Sequence, residues 1–228
     1  MYFFGDQSVD SILQISGMAI NNTLHNKHIL TKTSNMGYDE EKLKEGEKLY
    51  EKADDLHYTL TRNQGEESAA IKPFIAKFNA SHVYSIKLIR IIRVLLLDYP
   101  DKLQNLGLIG RRSLKFTIWV PQNRQFYQEA LKDKYILQIL NFRNITQNEL
   151  RDGLEMVEDA VKTLYNREII SSSQQESITL WAETMDELNE WVYDYLSVAG
   201  IVLKDKPKLL EKLGILTKVG MYSGRLPV

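Results

Sequence analysis

The stretch Asp205-Lys206-Pro207-Lys208-Leu209-Leu210-Glu211-Lys212-Leu213-Gly214-Ile215 repeats what the chain has already written at Asp98-Tyr99-Pro100-Asp101-Lys102-Leu103-Gln104-Asn105-Leu106-Gly107-Leu108. Proline can open a helix, because its missing N–H would be unpaired in the first turn anyway. Glycine just past the end supplies the left-handed residue that stops one. Between them Leu103 and Leu106, or Leu210 and Leu213, stand three apart on one helix face. Each stretch therefore predicts a short clip helix following a longer one.

Gly107 and Gly214 are 107 residues apart, and that offset holds upstream without a gap. Lys27, Ile29 and Leu30 fall on Lys134, Ile136 and Leu137. Leu43, Gly46, Glu51, Ala53 and Tyr58 fall on Leu150, Gly153, Glu158, Ala160 and Tyr165, and Ile71 and Leu96 on Ile178 and Leu203. The identities gather at apolar, Gly and Pro positions, where a shared fold demands them. Two copies are fewer than an open solenoid uses. The expected fold is all-α: two tandem three-helix units, each closed by a clip helix, in a pseudo-two-fold bundle. Residues 1–110 form the first repeat and 111–228 the second, packed as one globular unit.

The composition narrows the function. With 228 residues the chain can bury one large core or two small ones. Its formal net charge of −1 favours neither nucleic acid nor an anionic membrane in bulk. Cysteine is absent, which excludes disulfides, thiolate nucleophiles and Cys-ligated zinc. The apolar start Met1-Tyr2-Phe3-Phe4 has no basic flank and meets Asp6 too soon for a signal peptide. No apolar run approaches membrane-spanning length, so a cytoplasmic location is expected.

Helical spacing of Val9, Ile12, Leu13, Ala19, Ile20, Leu24 and Leu30 predicts a first helix over 8–34. Asp39 caps a second to about Arg62, and a third runs from Ser68 to Leu97. Gly110 to Val120 reads as the linker. Helices over 121–142, 146–168 and 175–204 repeat the pattern, with Thr146 as the cap and Pro121 delaying or kinking the first. The run Phe116-Thr117-Ile118-Trp119-Val120 has β character, but its alignment with the first helix argues for a helix start.

The third helix carries a seam at Ile71, Phe74, Phe78, Ser81, Ser85, Leu88, Ile92 and Leu95. Its copy reads Ile178, Trp181, Met185, Leu188, Val192, Tyr195, Ala199 and Val202. A matching seam in the second helix, Leu43, Gly46, Tyr50, Ala53, His57 and Leu60, predicts an antiparallel hairpin. That hairpin sets Gly46 near Ser85 at a close crossing.

Few residues suggest chemistry. Asp54 and His57 have the i, i+3 spacing of di-iron bundle ligands, but the copy has Val161 and Leu164 there. Ser81, His82 and Ser85 make the first seam polar where the copy has Leu188, Asn189 and Val192. With His57 they are the candidate lining of a small-molecule pocket. Adjacent Ser and His on a helix point apart, so no triad forms. There is no Gly-rich phosphate loop, H-E-x-x-H or G-x-S-x-G. The sequence assigns no catalytic residue, cofactor or metal.

Charge separates the two copies most sharply. The third helix carries Lys72, Lys77, Lys87, Arg90 and Arg93 with no acid from Ser68 to Leu97. Its copy carries Glu176, Glu183, Asp186, Glu187, Glu190 and Asp194 with no base before Lys204. Lys77, Lys87, Arg90 and Arg93 against Glu183, Asp186, Glu187, Glu190 and Asp194 form a candidate interaction face, within the chain or between chains. Arg90 and Arg93 could also join Arg111, Arg112 and Lys115 as an anion- or nucleic-acid-binding patch, which the neutral protein behind it disfavours.

The expected role is a non-catalytic scaffold or protein–protein interaction module, with a protein partner or self-association and no membrane. A small-molecule-binding bundle and an anion- or nucleic-acid-binding protein are the alternatives. Because Asp54 and His57 lack the partners of a coordination shell, protein purified without chelator or His-tag should carry no stoichiometric iron, zinc or manganese. Metal analysis checks this, and one firmly held ion per chain would overturn it.

Overall fold

The computed structural model describes residues 8–61, 66–166 and 170–215. Among these residues every regular element is a helix. The first run is α1 (Val9–Leu24), α2 (Lys27–Ser34), α3 (Glu40–Thr61), α4 (Glu66–Leu95) and α5 (Pro100–Asn105). The second is α6 (Phe116–Lys132), α7 (Lys134–Asn141), α8 (Gln147–Tyr165), α9 (Ser172–Val202) and α10 (Pro207–Lys212).

Helix ends follow from side chains that satisfy the orphan backbone groups. The expected single helix over 8–34 is broken at Asn26. Its backbone is extended and its carboxamide accepts from the N–H groups of His28 and Ile29, so a new helix starts there. Asp133 does the same for Tyr135 and Ile136, dividing the expected 121–142 helix in two. Thr146 and Glu149 form a reciprocal capping box before α8. Asp39 accepts from Lys42 N–H at 2.9 Å before α3.

Phe116 to Val120 are helical, and Pro121 lies inside α6 instead of delaying it. The clip helices α5 and α10 open on Pro100 and Pro207 as expected. Both end in a Schellman turn: Leu108 N–H bonds Leu103 C=O at 2.8 Å, and Ile215 N–H bonds Leu210 C=O at 3.0 Å. Gly107 and Gly214 supply the left-handed residue, with φ of 64° and 78°.

The chain divides into two compact units that cut across the sequence halves. Among the described residues, one joins Asp10–Asp54 to Glu187–Ile215; the other comprises Asp55–Asp186 with Ser8 and Val9. In the first unit Trp191 and Tyr195 stack along α9, and Tyr38 meets both rings with centroids 5.7 and 5.2 Å away. The Tyr195 hydroxyl bonds Thr23 of α1.

In the second unit α8 packs against both α4 and α6. Tyr84 OH of α4 donates to Glu149 C=O at 3.2 Å, and Arg124 of α6 forks onto Glu158 at 2.6 and 2.7 Å. Phe78 is the hub of its core, with Trp119, Phe116 and Trp181 centroids at 4.9, 5.1 and 5.8 Å.

The seams are buried as read, from Ile71 to Ile92 and from Ile178 to Ala199. The partner of Gly46 is different from that expected. A side chain there would stand 2.5 Å from the Trp191 ring of α9, so glycine makes room for an indole and not for a close crossing near Ser85. Gly153 makes the same room for Tyr127 of α6.

The clip glycines give a graded test. A Cβ at Gly107 would meet Gln125 at 2.8 Å and one at Gly214 would meet Met18 at 2.8 Å, whereas Gly110, also left-handed, has no neighbour within 4 Å. Gly110→Ala should lower the unfolding free energy by about 1 kcal/mol, from backbone strain alone. Gly107→Ala and Gly214→Ala carry the same backbone strain, and the far ends of Gln125 and Met18 must also swing aside, so each should lose slightly more, about 1–2 kcal/mol. Urea denaturation of the three variants checks the order; equal losses would mean that the neighbours yield freely.

Candidate functional site

The polar seam of α4 lies in the interior of the second unit. Trp119, Asn123 and Tyr127 of α6 recur four apart and present one face to it. Trp119 Nε1–H donates to His82 Nδ1 at 3.2 Å. That bond requires a neutral imidazole with its proton on Nε2. His82 is 3% exposed, and burial pushes its pKa down to about 3, with Arg112 and Arg90 adding to the shift and Asp186 opposing it. One turn on, Ser85 Oγ and Tyr127 OH share a hydrogen bond at 2.9 Å. Burial raises the Tyr127 phenol well above its ordinary value, against the pull of Ser85. Asn123 donates Nδ2–H to Trp119 C=O at 2.8 Å.

All four candidate pocket residues, His57, Ser81, His82 and Ser85, are buried. His82 and Ser85 are engaged by Trp119 and Tyr127 of α6. His57 makes a separate contact, stacking on Trp181 with centroids 6.1 Å apart. Ser81 Oγ has no hydrogen-bond partner among the described residues.

The candidate interaction face is distributed. Lys77 pairs with Asp159 of α8 at 2.9 Å and donates to the Thr163 hydroxyl at 3.1 Å. Lys87 is exposed, Arg90 half-buried, and Arg93 donates to the carbonyls of Leu108 and Gly110. Glu183, Glu187, Glu190 and Asp194 stand exposed on α9. Asp186 does not belong to that exposed row: it is 3% exposed, because α9 turns this position toward the linker.

There Asp186 accepts from Arg111 at 2.9 and 3.1 Å, from the Ser113 hydroxyl at 3.0 Å and from Leu114 N–H at 2.8 Å. Burial pushes this carboxyl up, but the Arg111, Leu114 and Ser113 bonds outweigh it and hold it below its ordinary range. Arg111 is thereby taken out of the expected basic patch. Arg112, its neighbour, is buried and donates to Gly107 C=O at 3.1 Å; burial lowers its guanidinium to about 10, with Arg93 contributing.

Among the described residues no three His, Asp or Glu side chains gather as a metal site would need. No helix of these residues is long and apolar enough to cross a membrane. The chain matches no protein-family model, no curated protein and no solved structure.

His82 gives a pH test. In the unfolded chain it takes a proton near pH 6.5, but in the fold only near pH 3. Its contribution to stability is therefore complete above pH 6.5 and is lost as pH falls toward 3. Denaturation free energies between pH 6.5 and 4.5 should fall by about 1.4 kcal/mol per unit from this residue. In His82→Asn, which keeps an acceptor for Trp119, the slope should flatten by that amount. An unchanged slope would show that His82 does not titrate as a buried neutral group.

Proposed function

We propose that this protein is a non-catalytic helical scaffold that acts through protein contacts, and that its fold arose by internal duplication about a pseudo-two-fold axis. The observation that carries the functional reading is where the polar groups go. Inside the second unit His82 is bonded to Trp119, Ser85 to Tyr127, and Asp186 to the linker. These interactions build a core and leave no nucleophile–base pair among them. Charge of opposite sign on exposed faces of α4 and α9 is what remains for recognition. Lys87 on one and Glu187 on the other are exposed.

Local geometry supports the duplication. α6, α7, α8 and α10 begin 107 residues after α1, α2, α3 and α5. Left-handed Gly37 and Asn144 stand at the same offset, as do the capping Asn26 and Asp133. The contacts are reciprocal as well. Gly107 lies against Gln125 and Gly214 against Met18, and both the glycines and their partners are paired at the offset. Each clip thus packs on the first helix of the other run, the reciprocity that a two-fold relation produces. An experimental structure in which Gly46 and Gly153, or Gly107 and Gly214, occupied unrelated places in their runs would sink this reading.

In the scaffold reading the basic face of one chain meets the acidic face of another. Exposed ion pairs contribute only about 0–1 kcal/mol each, so they select partners instead of holding the fold. Lys87→Glu should keep full helicity and weaken self-association at low salt; adding Glu187→Lys should restore it. Sedimentation velocity at low and high salt, with circular dichroism as the folding control, makes the measurement. If Lys87→Glu sediments like the wild type at low salt, the faces do not pair between chains.

A further inference from the structure

Two arginines hold the loop that follows the clip helix α5. Arg93 donates Nε–H to Leu108 C=O at 2.9 Å and Nη2–H to Gly110 C=O at 2.6 Å. Arg112 donates Nη1–H to Gly107 C=O at 3.1 Å. Arg112 is 7% exposed, and its Nη2 meets no acceptor among the described residues. The charge that bears on it is Arg93, of like sign; the Tyr127 phenol, held neutral by burial, offers no counter-charge, and no described carboxylate does. Asp186 acts on neighbouring His82 but is already bonded to Arg111, Ser113 and Leu114. A guanidinium buried beside another guanidinium is costly without a counter-charge.

We propose that Arg112 and Arg93 form a binding site for a small oxyanion, a phosphate or a carboxylate, taken up beneath the loop of residues 107–112. The guanidinium fork matches both chemistries, and bonds to a charged acceptor are about twice as strong as those to neutral ones. The anion competes with the loop carbonyls for the same donors and uses the Nη2 of Arg112 that they leave over. The tip of the loop faces open space: Gly110 is left-handed at φ 85° with nothing where a side chain would stand, and Ile109 is 63% exposed. The positions paired with Arg93 and Arg112 at the 107 offset are Gly200 and Gly5, so the site belongs to one half of the sequence. It does not depend on the scaffold reading.

The test is isothermal titration of the full chain with inorganic phosphate, glycerol 2-phosphate and citrate, at ionic strength fixed by sodium chloride. Saturable binding of at least one, with a dissociation constant below about 1 mM, is expected. At tenfold excess over that constant Tm should rise by roughly 3 °C. Response to the phosphates without citrate assigns the phosphate class, and the reverse assigns the carboxylate class. Arg112→Met should abolish binding, and Arg112→Lys, which keeps the charge but loses the fork, should weaken it about tenfold or more. If Arg112→Met is unfolded by circular dichroism, Arg93→Met replaces it, and the wild-type titration still decides. No saturable binding of any of the three anions to the wild type, or equal binding to a folded Arg112→Met, overturns the proposal.

Discussion

Asp186 carries a carboxylate in the interior of the second unit because four donors from one short stretch converge on it. Two come from the Arg111 guanidinium, one from the Ser113 hydroxyl and one from the Leu114 amide. Together they tie the linker to α9 and set where α6 begins, at Phe116. That start places Phe116 and Trp119 against Phe78, and with them the ring cluster that fills the unit. The arrangement is unforgiving. Removing the carboxylate would leave the buried Leu114 amide and Ser113 hydroxyl without their acceptor at once, and unsatisfied buried donors are costlier than the bonds they lose.

Much of the fold was legible because helix ends and buried faces are local properties. Proline at the start and glycine past the end determine a clip helix within a dozen residues, and both clips fall where those residues put them. The seam periodicity likewise marked the buried faces of α3, α4 and α9. The breaks at Asn26 and Asp133 escaped the reading because apolar spacing continues across them. A capping side chain reveals itself only by the backbone groups it binds. Gly46 taught a related lesson. Its smallness was correctly tied to close packing, but a seam names a face and not the helix opposite. The ring above it is Trp191, far along the chain.

The candidate site was legible in its polarity and not in its partners. Ser81, His82 and Ser85 stood out against the apolar copy, yet whether such a seam stays open depends on what enters it. Trp119 and Tyr127 come from 37 and 42 residues away in sequence. Their spacing with Asn123 on α6 was the available signal. The charge of α9 was plain, but Asp186 had the same sign as its exposed neighbours and was read with them. Only its burial, between buried Met185 and exposed Glu187, shows that it serves another purpose.

The placement of the three tryptophans has an optical consequence. Trp119 and Trp181 are fully enclosed in the second unit, one bonded to His82 and the other stacked on His57. Trp191 is half-buried in the first unit, over Gly46 and beside Tyr38 and Tyr195. Trp181 and Trp191 share one helix, yet they report on different cores. Intrinsic emission from this chain is thus a sum of two environments, and retaining one indole at a time would let each unit be followed by its own light.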